Sequence, residues 1–179
     1  MSEDRLKILV SSTVYNSESD LDQIKYILLG FGYDVQMSKE GNIYVGIDDS
    51  PSSECMKAVE DCDLFLSIIF PRYGSGITHE EFKHAVKLNK PRWFIAHRYI
   101  EYTRKLMEQF MFDKNKVRND FDIKKTSVLD SLRVIDMYND VRKKWVQPFF
   151  NTSEIQIFIE TQFKDYGRRQ RELRAGNNE

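Results

Sequence analysis

The chain of 179 residues has little of what would mark a special environment. Its only cysteines, Cys55 and Cys62, form no CxxC pair and belong to no metal-ligand cluster. A disulfide framework and a zinc scaffold are therefore not indicated, and reduced thiols in a helix are expected. No apolar run approaches the about 20 residues of a membrane helix, so no membrane partner is expected. Charge is nearly balanced, at −1 with a pI of about 6.3. A broad basic footprint is missing, which argues against nucleic acid as a partner. The amino terminus MSEDRLK lacks the apolar core of a signal peptide, and cytoplasmic residence is expected. There is no internal repeat, no low-complexity tract, and no G-x-S-x-G, Walker or G-x-G-x-x-G motif. His79, His84 and His97 show no convincing ligand spacing. Glu81 and His84 alone make a weak E-x-x-H pair, so no metal is expected.

What is present is a globular composition, 41% hydrophobic and 31% charged, on a length that suits one domain or a domain with an extension. Apolar strands alternate with helical patterns. Lys7–Ser11 reads as a strand. Ser17 and Asp20 give a capping-box signal before Leu21, Ile24, Leu28 and Phe31 at helical spacing. Tyr33–Met37 reads as a second strand, 38–50 as a loop, and Pro51–Asp61 as a helix with Met56 and Val59 facing inward. Leu64–Phe70 is apolar except for Ser67, as expected of a strand covered on both faces. Thr78–Asn89 is a helix burying Phe82, Ala85 and Val86, and Arg92–Ala96 is a fourth strand. The alternation predicts an α/β fold: a parallel sheet of four or five strands, Leu64–Phe70 central and Lys7–Ser11 beside it, with helices on both faces.

Beyond Arg98 the pattern becomes helical. Tyr99–Phe112 is one helix. The charged stretch Asp113–Thr126 reads as a loop. Val128, Leu132, Ile135, Tyr138, Val141 and Trp145 mark an amphipathic helix broken at Gln147-Pro148. Ser153 and Gln156 give a further capping-box pair ahead of Ile155, Phe158, Ile159, Phe163 and Tyr166. The expected division is a core over 1–98 and a helical extension over 99–179 packed on it, with the last residues frayed.

In a parallel sheet the segments after each strand emerge at one carboxyl edge, where ligands bind. Ser11, Ser12, Thr13, Tyr15, Asp48, Asp49, Arg72, Tyr73, Gly74, Ser75 and Glu81 are thereby brought toward one cleft. Each has two readings. Glu81 closes a capping box with Thr78, or it is a carboxylate that stabilises or attacks an oxocarbenium-like sugar. Tyr73-Gly74-Ser75-Gly76 is a turn, or its amides bind phosphate at a helix start. Arg72 pairs with phosphate or with a surface carboxylate. Ser11, Ser12 and Thr13 line a ribose or phosphate pocket, or form an ST-turn and cap. Asp48 and Asp49 hold ribose hydroxyls or are simply solvated.

The segments ILVSSTVYN, CMKAVEDCDLFLSIIFPRYGSGITHEEFKHA, WVQPFF and FIETQFKDY resemble a widespread domain of unknown function. It is found alone in bacteria and at the amino termini of large NTPase proteins linked to defence and signalling. The resemblance covers most of residues 6–166, although Ser75-Gly76-Ile77-Thr78 is a compact version of the family's longer loop. That family is similar in fold plan to Toll/interleukin-1-receptor (TIR) domains and nucleoside deoxyribosyltransferases, which implies a three-layer, flavodoxin-like sheet. Both groups carry a Glu in an E-x-x-x-A pattern on the helix after a central strand, which Glu81 and Ala85 match. The resemblance implies cleavage of an N-glycosidic bond in NAD or a nucleotide, in antiviral defence, with Glu81 catalytic. Ser11, Ser12, Thr13, Tyr15, Arg72, Tyr73, Gly74 and Ser75 would then hold the substrate. NAD or a nucleotide-derived small molecule is the expected ligand, no separate cofactor is required, and a second copy or a signalling partner is the expected protein contact. The alternatives are a binding module that senses a nucleotide without turning it over, and an assembly module.

Overall fold

The computed structural model of the chain describes residues 5–13, 18–37 and 50–176. Five parallel strands form one sheet in the order β2-β1-β3-β4-β5. They are β1 (Lys7–Ser12), β2 (Asp34–Met37), β3 (Leu64–Ile69), β4 (Arg92–His97) and β5 (Gln147–Phe149). The helices between them are α1 (Glu18–Gly30), α2 (Pro51–Asp61), α3 (Ile77–Lys87), α4 (Arg98–Met111) and α5 (Arg133–Val141), and after β5 come α6 (Thr152–Phe163) and α7 (Tyr166–Gly176). β3 is central and every one of its residues is buried, which explains its nearly continuous apolar sequence.

Helices cover both faces. Leu21, Ile24 and Leu28 of α1 and Ile155, Phe158 and Ile159 of α6 pack on Ile8, Val10, Leu66 and Ile95. Helices α2 to α5 cover the other face, over Leu9, Phe65, Ile69 and Phe94. The chain runs outward in one direction from β1 and in the other from β3, so the switch in strand order lies between these two neighbours. In open α/β sheets this is where ligands enter, at the carboxyl ends.

Residues after 98 supply more than helices. Gln147-Pro148, expected only as a helix breaker, starts β5, which pairs with β4 at the sheet edge. Proline is tolerated on an edge strand because one side of its backbone needs no ladder partner. The helix expected from Val128 begins only at Arg133. The preceding turn is held by side chains that compete with helical bonding: Thr126 Oγ1 accepts from the Leu129 amide at 3.0 Å, and Ser131 Oγ from the Arg133 amide at 3.2 Å. Leu129 and Leu132 are still buried, so the apolar spacing reported burial rather than helix. The expected Ser153 cap is displaced to Asn151, which accepts from the Glu154 amide at 3.1 Å. The Glu154 carboxylate in turn accepts from the Phe150 amide at 2.9 Å. Of the tail expected to fray, the described part up to Gly176 belongs to helix α7, anchored by the Arg169 guanidinium 4.4 Å over the Trp93 ring.

Candidate functional site

At the switch point, side-chain hydrogen bonds tie the end of β1 to Phe70, just past β3, and to helix α3. Thr13 Oγ1 accepts from the Phe70 amide at 2.9 Å and donates to the Phe70 carbonyl at 3.2 Å. It staples the two chains just past the end of their ladder. Thr78 Oγ1 donates to the Ser12 carbonyl at 3.0 Å. Ser11 Oγ donates to Glu81 Oε2 at 2.5 Å, with both residues fully buried.

This geometry decides between the two readings of the Thr78–Glu81 pair. Helix α3 starts two residues earlier than the capping box requires. Gly76 is the N-cap, in the left-handed region at φ 87°, with no side-chain cap bond. Thr78 therefore sits inside the first turn and turns to β1. Glu81 lies beyond that turn and also faces β1. The capping-box reading is overturned, because Gly76 and not Thr78 is the N-cap, and the Thr78 hydroxyl is turned to β1.

Beneath Glu81 the sheet is polar in a way the apolar run concealed. Ser67 pairs in register with Ser11, so both hydroxyls fall on the α3 side. Ser67 Oγ is buried with no hydrogen-bond partner. Sequence reasoning did not place Ser67 in the site. The one available signal was a lone serine in an otherwise apolar central strand. Ser12 alternates to the opposite face, and its hydroxyl is also buried and unpartnered. Ser11 and Ser12 thus serve opposite sides of the sheet.

The Tyr73–Gly76 loop is held from within. The Asp130 carboxylate accepts from the Tyr73 amide at 2.8 and 3.0 Å and from the Gly74 amide at 3.3 Å. The Gly76 amide donates to the Tyr73 carbonyl at 3.3 Å. The amides expected for phosphate already serve an internal anion, as an anion-binding nest would serve an external one. Ser75 is exposed and its hydroxyl makes a long contact with the Ile77 amide at 3.5 Å. Tyr73 is buried and turned toward α5. Its hydroxyl donates to His79 Nδ1 at 3.1 Å, and His79 Nε2–H donates to Asp140 Oδ2 at 3.1 Å. Burial pushes the His79 pKa down against the opposing pull of Asp140, so the ring is the neutral link of this chain. Burial alone would raise the Asp140 carboxyl, but the bonds from His79 and Lys143 outweigh it and hold the group low.

Arg72 goes elsewhere. It donates to the Ser127 carbonyl at 2.8 Å and the Pro71 carbonyl at 3.2 Å, and it has no carboxylate partner among the described residues. It lines a cleft of about 390 Å³ at the carboxyl edge with Phe70, His97, Tyr99, Phe150 and Asp20. His97 is fixed as the Nε2–H tautomer. Its Nδ1 accepts from the Tyr99 amide at 3.2 Å and caps α4, while Nε2 donates to the Phe150 carbonyl at 3.1 Å. Burial lowers its pKa, and protonation would place a second donor against the Tyr99 amide. Of the expected site residues that the structure describes, Arg72 alone lines this cleft, and Glu81 does not. Tyr15, Asp48 and Asp49 lie outside the described residues.

Cys55 and Cys62 are buried and form no disulfide, and burial pushes the Cys62 thiol up to about 11, away from thiolate reactivity. No group of His, Cys, Asp and Glu suited to a metal ion occurs among the described residues. No helix among them is long and apolar enough to cross a membrane.

The molecule is thus a five-stranded parallel α/β domain of order 2-1-3-4-5, with a buried carboxylate at its switch point. The chain belongs to the family described as Domain of unknown function (DUF4062), whose family model matches residues 7–164. No curated protein matches it significantly.

Proposed function

We propose that the protein is an N-glycosidase acting on NAD or a related nucleotide, on a fold plan shared with TIR domains and nucleoside deoxyribosyltransferases. The same likeness suggests a role in bacterial antiviral defence signalling. The observation that carries the reading is Glu81: fully buried at the switch point and gripped by Ser11. A buried carboxylate is costly unless it is bonded or used. In the reaction, the bond between the sugar C1′ and the pyridinium nitrogen breaks with its electron pair leaving on nicotinamide. Glu81 stabilises the cationic sugar, and water adds to C1′ and releases a proton. The leaving group is already cationic, so no second carboxylate is needed to protonate it.

Non-catalytic nucleotide binding is the second reading. It is favoured by the separation of Glu81 from the cleft that Arg72 lines. Self-association is compatible with either. Tyr99, Tyr102, Leu106 and Phe110 form an exposed stripe along α4, the kind of apolar surface that marks contacts.

The deciding experiment is chromatography of NAD and nicotinamide with wild type and Glu81→Gln at equal folded concentration. Gln keeps the size and an acceptor for Ser11 while removing the charge. The expected loss is about 10²–10³ in rate, the usual effect of removing one key electrostatic group. Equal turnover by both proteins excludes Glu81 as the catalyst. Intact NAD together with a nucleotide-dependent rise in melting temperature selects the binding module instead.

A further inference from the structure

A second polar pocket, of about 430 Å³, opens at the opposite, amino edge of the sheet. It lies where the α3–β4 connection meets the segment between α5 and β5. Lys90, Arg92 and Lys144 line it with Trp93 and Trp145, and no carboxylate is among its described lining residues. The Lys90 ammonium donates to the carbonyls of Cys62, at 2.8 Å, and Glu60, which orient it without neutralising it. Arg92 Nη1 donates to the Lys90 carbonyl at 2.8 Å, while Arg92 Nε is buried with no acceptor. An arginine partly withdrawn from water, without a counter-charge and with one donor unused, lacks an anion. Phosphate is, with carboxylate, an anion whose oxygens a guanidinium fork matches bidentately. The aromatic wall is in place beside it. Trp93 is held edge-on against Phe158 at 5.4 Å and beneath Arg169. Trp145 also leans on Phe158, at 6.0 Å, with 59% of its surface open.

We propose that this amino-edge pocket binds a nucleotide-class ligand, its phosphate among Lys90, Arg92 and Lys144 and its flat ring against Trp145. The site is independent of the carboxyl-edge reading, being built from different residues on the opposite edge. It gives the protein a place for a nucleotide effector separate from any substrate. The pocket volume falls in the ordinary range for small-molecule sites.

The test has a built-in reporter, because the only two tryptophans of the chain both line the pocket. The full chain is titrated with ADP while intrinsic tryptophan fluorescence is monitored. Saturable quenching is expected, with inorganic phosphate competing and adenosine binding at least about tenfold more weakly. Lys144→Glu, at an exposed position, is expected to weaken ADP by about tenfold or more without lowering the melting temperature. Arg92→Gln is a second route to the same loss. Arg72→Gln, at the other edge, is expected to leave the tryptophan response unchanged. No saturable quenching at millimolar ADP overturns the proposal. So does equal affinity for adenosine, an unaltered response in both Lys144→Glu and Arg92→Gln, or loss of the response in Arg72→Gln. Failure of NAD cleavage bears on Glu81 and leaves this titration unaffected.

Discussion

Gly76→Ala should be among the most damaging single-methyl additions at the site. Gly76 has φ 87°, and an added Cβ would lie 2.9 Å from Tyr73 Cε1 and 3.3 Å from its hydroxyl oxygen. The left-handed conformation alone costs a non-glycine residue about 1–2 kcal/mol. Overpacking adds about 1–3 kcal/mol when the neighbour cannot yield. Tyr73 is poorly able to yield. Its hydroxyl is bonded to His79, its amide to Asp130, and the Arg133 guanidinium lies 4.7 Å over its ring. The expected loss is about 2–5 kcal/mol, or roughly 5–15 °C in melting temperature for a chain of this size. Gly74 is the internal control. It has φ 60° with open space around its missing Cβ, so Gly74→Ala should lose only the conformational part, about 1–2 kcal/mol. Urea denaturation of both variants isolates the contact as the difference, which should shrink in a Tyr73→Leu background. Equal losses in Gly74→Ala and Gly76→Ala would refute the claim that Tyr73 is fixed against the start of α3.

Thr13→Val should cost about 1–3 kcal/mol in urea denaturation, because it removes both staple bonds and leaves the Phe70 amide without its acceptor. Stability should fall as pH drops below 6.5, the ordinary histidine value, since His79 and His97 both have lowered pKa values. The unfolded chain takes up protons there that the folded one resists, so the loss begins at 6.5 and continues down to the folded pKa values. It cannot exceed about 1.4 kcal/mol per pH unit for each histidine. His97→Asn, which keeps a cap acceptor, should flatten the dependence in melts between pH 7 and 5, and an unchanged slope would discount His97. Leu106→Glu should lower any self-association seen by sedimentation while leaving the melting temperature nearly unchanged, and undiminished association would remove the α4 stripe as the contact.

The sheet was legible because its signals are local and strong. A six-residue apolar run buried on both faces can hardly be anything other than a central parallel strand, and β3 is that strand. β5 was missed for the opposite reason. It is three residues long, contains Pro148, and exists only because β4 offers a free edge. The 128–132 turn was mistaken for helix because Leu129 and Leu132 are buried by tertiary packing, and burial leaves the same apolar spacing in either backbone conformation. What cuts the helix short is a set of side-chain bonds from Thr126 and Ser131, which periodicity does not register.

At the site, the limit of sequence reasoning was directional. Thr78-x-x-Glu81 satisfies a capping box in composition, and only the start of α3 decides whether it is one. That start is set by Gly76, whose left-handed backbone begins the helix two residues before a cap at Thr78 would. The shift carries Thr78 and Glu81 round to β1, where Ser12 and Ser11 receive them. The Gly-rich loop was equally ambiguous. Its amides were expected either to shape a plain turn or to bind phosphate, and those of Tyr73 and Gly74 serve Asp130, 57 and 56 residues along the chain. A phosphate bound at Tyr73 and Gly74 would therefore have to displace Asp130. That displacement would free the 127–130 segment that also holds Arg72 through the Ser127 carbonyl. Arg72 and the Tyr73 loop are thus fastened by the same turn. A phosphate strong enough to win the loop would also gain the guanidinium.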